Sequence, residues 1–459
     1  MKKRPDKIAI VGGGISGLSA AYYLNKKAPH IKCDLYEKND HLGGNIQTRT
    51  EHGFVYETGP DAFLHKPIMQ EIIEELGLTL ETIETIAENR ISYIVKKGKL
   101  AKIPPGFYLM GPAKLLPFMF SPALSLSTKV RTLLEPFVPR QEIKDESLAA
   151  FVTRRFGKGN LEEITQAMIG GIYTADPKTL SLQSTLPKFI EYERKYGSVL
   201  RGLQKEVFDN NTRGPQYNKF RSFKSGMQTL IDSFENQLST TSVLKNHFVT
   251  SIEKYNDQWK LHVNNQSAIY DYVIIALPAK AIGNTCHFLP SRSKQLLSSI
   301  EFASAIIMHF GFEKKQLDQR IHAMGMIVPH REQKSILAST FCSQKFPHRA
   351  SDDRVLLRVF MGGAMQEDIC QECDKTLFHL AKTDLREILG YKGDPIYQNI
   401  IRWPHAMPQY KVGHQNRVSQ FFESVRNFEE ICFLGNSFSG VGIPDLIQKS
   451  KDTIEGLLA

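Results

Sequence analysis

Apolar and polar positions alternate in blocks that read strand, helix, strand over the first 60 residues. Ile8-Ala9-Ile10-Val11 is a short, continuously apolar run, the pattern of a strand buried on both faces. Residues 16–27 follow as a helix, and Cys33-Asp34-Leu35-Tyr36-Glu37 as a second strand. Residues 68–77 predict a short helix. From about 90 to 205 the pattern predicts mostly helix broken by prolines, with little strand alternation. Phe220–Phe223 opens a new unit, with a helix over Met227–Gln237. Strands are predicted at Val249–Glu253 and Trp259–Val263, and Tyr270–Pro278 reads as a parallel core strand. Residues 300–400 mix strands (Ile306–Phe312, Val355–Met361) with an amphipathic helix over Asp368–Leu389. Ile431–Asn436 is a last strand, Ser439–Pro444 a glycine loop, and Asp445–Leu458 a last helix. The fold class is therefore α/β, with one nucleotide-binding fold assembled from separated pieces and insertions between them.

The first strand ends in Gly12-Gly13-Gly14-Ile15-Ser16-Gly17, with Gly12, Gly14 and Gly17 at the G-x-G-x-x-G spacing. Gly12 permits a sharp turn out of the strand, Gly14 lets backbone approach a pyrophosphate, and Gly17 lets the helix pack on the sheet. The helix start offers free N–H groups to the phosphates. Glu37, 20 residues beyond Gly17, is placed to accept hydrogen bonds from a ribose. This motif alone does not separate NAD from FAD.

Composition narrows the class of partner. The chain has 459 residues and a formal net charge of +10, which favours anionic partners, while the absence of a long Lys/Arg block argues against nucleic acid. Six cysteines in mostly apolar contexts fit free thiols in a reducing cytoplasm. Cys370-Gln-Glu-Cys373 has redox or metal spacing. On the predicted helix it reads as two residues at i and i+3, and a fourth ligand beside His379 is missing, so no metal is expected. No signal peptide is expected, because the N-terminal apolar run is too short and leads into glycines. Pro104–Leu126 is greasy, but Pro112, Pro117 and Pro122 interrupt it. It predicts short helices and turns lining an apolar pocket, with peripheral contact at a membrane surface as a second use.

Several segments together resemble the oxygen-dependent protoporphyrinogen oxidase family of the flavin-containing amine oxidase superfamily, most closely its Gram-positive branch acting on coproporphyrinogen III. They are Val11–Tyr22, Glu37–Gly44, Glu57–Leu64, Gly170–Asp176, Arg402–Tyr410 and Gly435–Asp445. The glycine segments specify only the superfamily; the Gly-Ile-Tyr-Thr-Ala-Asp and Arg-Trp-x-x-x-Met-Pro-Gln-Tyr segments narrow it.

The resemblance implies a discontinuous Rossmann-like FAD-binding domain (residues 1–65, 215–290 and 405–459). With it come a mixed α+β substrate-binding domain (66–95, 186–214 and 291–404) and a mostly helical inserted subdomain (96–185). It implies that FAD meets Gly12, Gly14, Ile15, Ser16 and Gly17 at its pyrophosphate, and Glu37 and Lys38 at the adenosine ribose. Val249 would meet the adenine, and Gly43, Gly44 and Asn45 the phosphate and ribityl path. Gly59, Pro60, Asp61, Ala62 and Trp403 would border the ring, and Val441, Gly442 and Ile443 its pyrimidine end. Asn45 departs from the Lys or Arg frequent there. The implied reaction is the six-electron, O2-dependent oxidation of coproporphyrinogen III in haem biosynthesis, releasing three H2O2. Protoporphyrinogen IX or another superfamily substrate is the alternative, and hand-over of product to a downstream chelatase is a further implied contact. The flavin would do the chemistry, so no catalytic side chain is assigned. Lys66 and Arg358 are candidate rim cations for propionates, Tyr173 and Phe360 candidate stacking partners, and His405 and His414 candidate proton relays.

Overall fold

Five parallel strands carry the glycine segments at one end of a sheet. They are β1 (Lys7–Val11), β2 (Lys32–Tyr36), β3 (Thr241–Leu244), β4 (Tyr272–Ile275) and β5 (Ile431–Phe433), in the order β3-β2-β1-β4-β5. The computed structural model describes residues 5–209, 220–317 and 321–459, so the boundary expected between 214 and 215 lies outside the described residues. Helices α1 (Ile15–Lys27), α2 (Gln228–Asn236) and α3 (Ile443–Leu458) share a core with Ile8, Ile10, Leu35 and Ile274. The alternate residues Ala9, Val11, Val273 and Ile275 pack on the other face, beside Trp259, Leu261 and Tyr270. Those three belong to an antiparallel meander of strands Val249–Tyr255, Gln258–Val263 and Gln266–Tyr270. Both faces of β1 are covered, which is why its sequence is apolar throughout rather than alternating.

A second, seven-stranded sheet runs from Tyr397–Pro408 through Phe302–Glu313, Arg354–Gly362, Ile336–Phe341 and Gly325–Ile327 to the hairpin Ser92–Lys96/Lys99–Lys102. Met308, Phe310, Leu357 and Val359 pack against Leu377, Ala381 and Leu385 of the helix Asp374–Leu389. Helices between Leu115 and Asp209 form a third layer.

Two expectations are corrected. The stretch from residue 90 is not helical at its start. A hairpin turns at Lys97 and Gly98, whose φ angles are +52° and +71°, and Phe107–Tyr108 pairs with Gly111–Pro112. Positive φ at both turn residues matches the strand twist; Lys96 on the first strand and exposed Lys99 and Lys102 on the second hide the alternation from a sequence reading. The Asp368–Leu389 helix is also two elements, a 3-10 turn at Glu367–Gln371 and the helix Asp374–Leu389, with Cys373 in extended backbone as its N-cap. Cys370 and Cys373 therefore do not share a helix. All six cysteines are free thiols.

Candidate functional site

The ends of β1, β2, β4 and β5 converge where the chain turns from strand to helix, the usual position for a ligand in an open α/β sheet. The glycines there divide by what a side chain would meet. At Gly12, with φ of +108°, a Cβ would lie 2.5 Å from the Ala276 carbonyl oxygen, and at Gly17 1.9 Å from that of Gly12. Those positions are closed by packing. At Gly14 a Cβ would meet nothing within 4 Å, and at Gly44 only the Gly14 Cα at 3.6 Å. The two loops are pinned side by side, since the Gly43 N–H donates to the Gly13 carbonyl at 2.8 Å. Gly14 caps α1 without any side-chain hydrogen bond, so the N–H groups of Ile15, Ser16 and Gly17 face this open space as unsatisfied donors. Open space between the two loops thus lies at the start of α1.

Glu37 ends β2, with 6% of its surface exposed. Its carboxylate accepts from the Gly13 N–H at 2.8 Å and from the Asn39 N–H and Nδ2 at 2.9 and 2.7 Å. It therefore ties the glycine loop to its own strand. Lys38 beside it is exposed. The chain between β3 and Val249 crosses the end of β2, where the His247 N–H donates to the Glu37 carbonyl at 2.8 Å. Val249 is buried.

The loop Gly59–Ala62 stands against the second glycine loop. A Cβ at Gly59 would come within 1.7 Å of the Asn45 carbonyl oxygen. Three groups hold the loop from behind: the Trp403 indole N–H donates to the Thr58 carbonyl at 2.6 Å, the Arg358 guanidinium donates to the Gly59 carbonyl, and Lys345 Nζ bonds both Asp61 oxygens at 3.0 and 2.8 Å. Burial pushes the Asp61 carboxyl up, but Lys345 and Arg358 outweigh it and hold the group below its ordinary range. On the remaining side, Gly442 caps α3 with no side-chain hydrogen bond, leaving the N-terminus at Ile443 uncapped by a side chain. Val441 packs on the same cluster as Tyr173 and Tyr410.

Of the two candidate rim cations, Arg358 is placed differently from expectation. Arg358 is 4% exposed, its guanidinium 4.6 Å from the Phe360 ring and under the Gly59–Asp61 loop. It is a buried support, because strand Arg354–Gly362 is covered on that face by the loop. Lys66 is half-exposed and ion-paired with Asp445 of α3. The Tyr173 hydroxyl donates to the Thr185 carbonyl at 3.3 Å, and burial, then the Asp445 charge, push it up to about 12. His414 stacks on Tyr410 with ring centroids 4.2 Å apart, and burial brings it down to about 4, so it is neutral at pH 7.

Lys345 and Arg349 were missed, because no local motif marks them, and Glu57, though it opens the Glu57–Leu64 segment, was given no role. Glu57 is 3% exposed and accepts from Thr48 Oγ1 at 2.7 Å and from the Met227 N–H at 2.9 Å. Burial dominates and raises its carboxyl to about 7. A group that binds its proton more tightly when folded contributes stability below its unfolded pKa, and that contribution is lost as pH rises through 7. The window is worth up to about 3 kcal/mol. Glu57→Gln is expected to flatten the stability profile between pH 5 and 8 in urea unfolding by that order. An unchanged pH slope would show that Glu57 does not hold the proton.

The profile of the family described as flavin containing amine oxidoreductase matches residues 15–449. The chain belongs to that family. As a member it is an oxidoreductase that takes a flavin cofactor. It is 30% identical to the coproporphyrinogen III oxidase of Bacillus subtilis (strain 168), over 98% of this chain and 97% of the relative. It is 29% identical to that of Staphylococcus aureus (strain NCTC 8325 / PS 47), over 98% and 99%. A crystal structure from Exiguobacterium sp. 255-15, provisionally named a protoporphyrinogen oxidase, superposes with a TM-score of 0.87 at 27% identity, covering 100% of this chain and 99% of that one. This places the five-stranded sheet as the family's Rossmann-like part.

Proposed function

We propose that the chain binds FAD and oxidises coproporphyrinogen III to coproporphyrin III, with O2 as acceptor and three H2O2 released per macrocycle. The observation that carries the cofactor is the pair of adjoining positions, Gly14 and Gly44, at which a side chain would project into open space between two loops. The substrate reading rests on the 30% identity, over nearly the full length, to a protein named for coproporphyrinogen III. A bound flavin supplies the two-electron acceptor that no side chain can.

The chain's own residues bind, orient and exclude water. The uncapped start of α1, with Gly12, Gly14, Ile15, Ser16 and Gly17, takes the diphosphate. Glu37 takes the adenosine ribose with Lys38 beside it, and Val249 the adenine. Gly43, Gly44 and Asn45 line the path to the ring. Gly59, Pro60, Asp61 and Ala62 border the ring, with Trp403 fixing the loop through the Thr58 carbonyl. The α3 start, with Val441, Gly442 and Ile443, covers the other end. Tyr173 and Phe360 flank the tetrapyrrole, and Lys66, shared with Asp445, faces its carboxylates. Arg358 acts indirectly, by holding the Gly59 carbonyl. The division into FAD-binding, substrate-binding and helical parts belongs to the same proposal.

Protoporphyrinogen IX is the second reading, favoured by a protoporphyrinogen oxidase 2 of Arabidopsis thaliana that is 25% identical over 95% of this chain. The test follows porphyrin fluorescence and peroxide release with each porphyrinogen in parallel. Coproporphyrinogen III is expected to turn over at least tenfold faster; faster oxidation of protoporphyrinogen IX overturns the assignment.

A further inference from the structure

Five charged side chains gather behind the loop Gly59–Ala62, and the cations Lys345, Arg349 and Arg358 outnumber the carboxylates Glu57 and Asp61. Alternation along Arg354–Gly362 sends Leu357 and Val359 toward the helix Asp374–Leu389. It sends Leu356 and Arg358 to the opposite face, where Leu356 packs with Phe54 and Tyr56. Lys345 ends the short helix Cys342–Lys345, and Arg349 follows in the next turn of chain. Lys345, Arg349, Arg358 and Glu57 are all buried, and Asp61 keeps 19% of its side chain exposed.

Most of what holds the cations is neutral. Arg349 donates to the carbonyls of Lys224 and Phe223 at 3.0 and 2.9 Å and to Ser222 Oγ at 2.9 Å. Arg358 donates to the Gly59 carbonyl and lies over the Phe360 ring, and Lys345 lies 5.5 and 5.2 Å from the ring centroids of Phe220 and Phe346. Carbonyls and ring faces solvate a cation without cancelling its charge. The ionic partners are fewer. Asp61 takes Lys345 at 2.8 Å and leaves Arg358 at 3.9 Å, and Glu57 stands 3.9 Å from Arg349. Burial keeps a proton on Glu57 up to about pH 7, so below that pH its charge is missing as well. His309 pairs with Arg358 across the strands, and burial, then Arg358, hold it neutral. The cavity among Tyr56, Glu57, Asp61, Arg349 and Arg358 is about 10 Å³, room for one water, so solvent screens these charges little. Buried charge in excess is costly unless an anion meets it. The chain around the loop supplies none: Asn45, Pro60 and Ala62 are uncharged, and Asp445 is ion-paired with Lys66.

We infer that this buried surplus of positive charge is the electrostatic partner of the flavin ring, favouring its reduced, negatively charged state, a role that rests on the FAD reading above. Lys345, Arg349 and Arg358 are then positioning residues that act through the Gly59–Ala62 loop and through their charge. Charge near the ring is one of the means by which a protein tunes a bound flavin. Arg349 makes no hydrogen bond to Gly59 or Asp61, so toward the ring it acts through its field; it is among the charges that hold the Asp61 carboxyl down. The second sheet thus supplies a positive field that no side chain of the loop itself carries.

The test is the two-electron midpoint potential of the FAD-loaded protein at pH 6.5, where Glu57 holds its proton and does not offset the loss of a cation. FAD content and thermal unfolding are recorded for each variant. Wild type is expected to lie above free FAD in the same buffer. Asp61→Asn removes a carboxylate at nearly constant shape and is expected to raise the potential, and Arg349→Met to lower it. Each shift is expected to be at least tenfold in the reduction equilibrium, about 30 mV. Arg349→Lys keeps the charge and is expected to stay within threefold, about 15 mV. A merely structural role would cost stability and FAD affinity in both variants without moving the potential in opposite directions. Shifts under tenfold, shifts of one sign, or a wild-type potential at or below that of free FAD overturn the inference and leave the FAD reading standing. If Arg349→Met does not fold, the sign and size of the Asp61→Asn shift decide alone. A wild-type protein that takes up no FAD overturns the cofactor reading, and this inference with it.

Discussion

Gly14→Val is expected to yield a folded protein without its flavin. The backbone there has φ −67° and ψ 175°, an extended conformation that valine adopts readily, and a Cβ would meet no atom within 4 Å. Nothing in the protein's own packing opposes the substitution, so the variant's thermal midpoint should fall within a few degrees of flavin-stripped wild type. The space the side chain fills is nevertheless the one between Gly14 and Gly44, in front of the α1 N–H groups. A diphosphate would be pushed off those donors. Flavin affinity is expected to drop at least about a thousandfold, roughly 4 kcal/mol, read as loss of visible absorbance and by titration with FAD. Gly17→Ala is the contrast, because its Cβ would lie 1.9 Å from the Gly12 carbonyl oxygen and force α1 off β1. That variant should lose solubility or cooperative unfolding as well as colour. A Gly14→Val protein that purifies fully yellow would move the phosphate site elsewhere.

The contrast also shows which parts of the site a sequence can display. The demands on Gly12, Gly14 and Gly17 arise within one turn of chain, so spacing alone distinguishes turn, open approach and close packing. The supports behind the Gly59–Ala62 loop are different in kind. Lys345 reaches Asp61 across 284 residues, and Arg358 reaches Gly59 across 299. Their identities as lysine and arginine on a strand or short helix look the same as surface cations until topology brings the second sheet against the loop. Arg358 looked like a rim cation for that reason, whereas burial and its bond to a backbone carbonyl make it a support. Lys66 lies by the loop, and the Asp445 partner that the last helix brings to it was equally invisible in the sequence. The parallel sheet was legible because strands buried on both faces are apolar throughout. The Ser92–Lys102 hairpin was not, because its solvent face is lysine-rich and its turn lacks the familiar asparagine. The helix Leu126–Leu133 defeats pattern reading altogether, since its Thr128 and Thr132 are buried while Leu126 and Val130 are exposed.

Arg155→Met is expected to destabilise the helical layer by about 3–5 kcal/mol. The side chains of Arg155 and Glu135 are both fully buried, and each is engaged by more than its partner. Arg155 Nε donates to Glu135 Oε1 at 2.6 Å, and its other nitrogens serve the carbonyls of Val138 at 2.9 Å and Gly197 at 3.1 Å. Glu135 in turn accepts from the Val199 and Leu200 N–H groups at 2.9 and 3.2 Å. Methionine fills the volume but leaves a buried carboxylate without its counter-ion and carbonyls without donors, which costs more than the pair's net worth. Against a total stability of roughly 5–15 kcal/mol for a domain, such a loss should lower the urea midpoint sharply. It should also open Leu115–Phe137 to protease, because Glu135 joins that segment to the helices beyond Ser198. Pairing Arg155→Met with Glu135→Leu removes the stranded charge. The double variant is therefore expected to recover at least about 1 kcal/mol relative to the sum of the single changes. Additive losses would mean that the two side chains act through packing alone, and that the charge pair does not hold the Leu115–Phe137 segment in place.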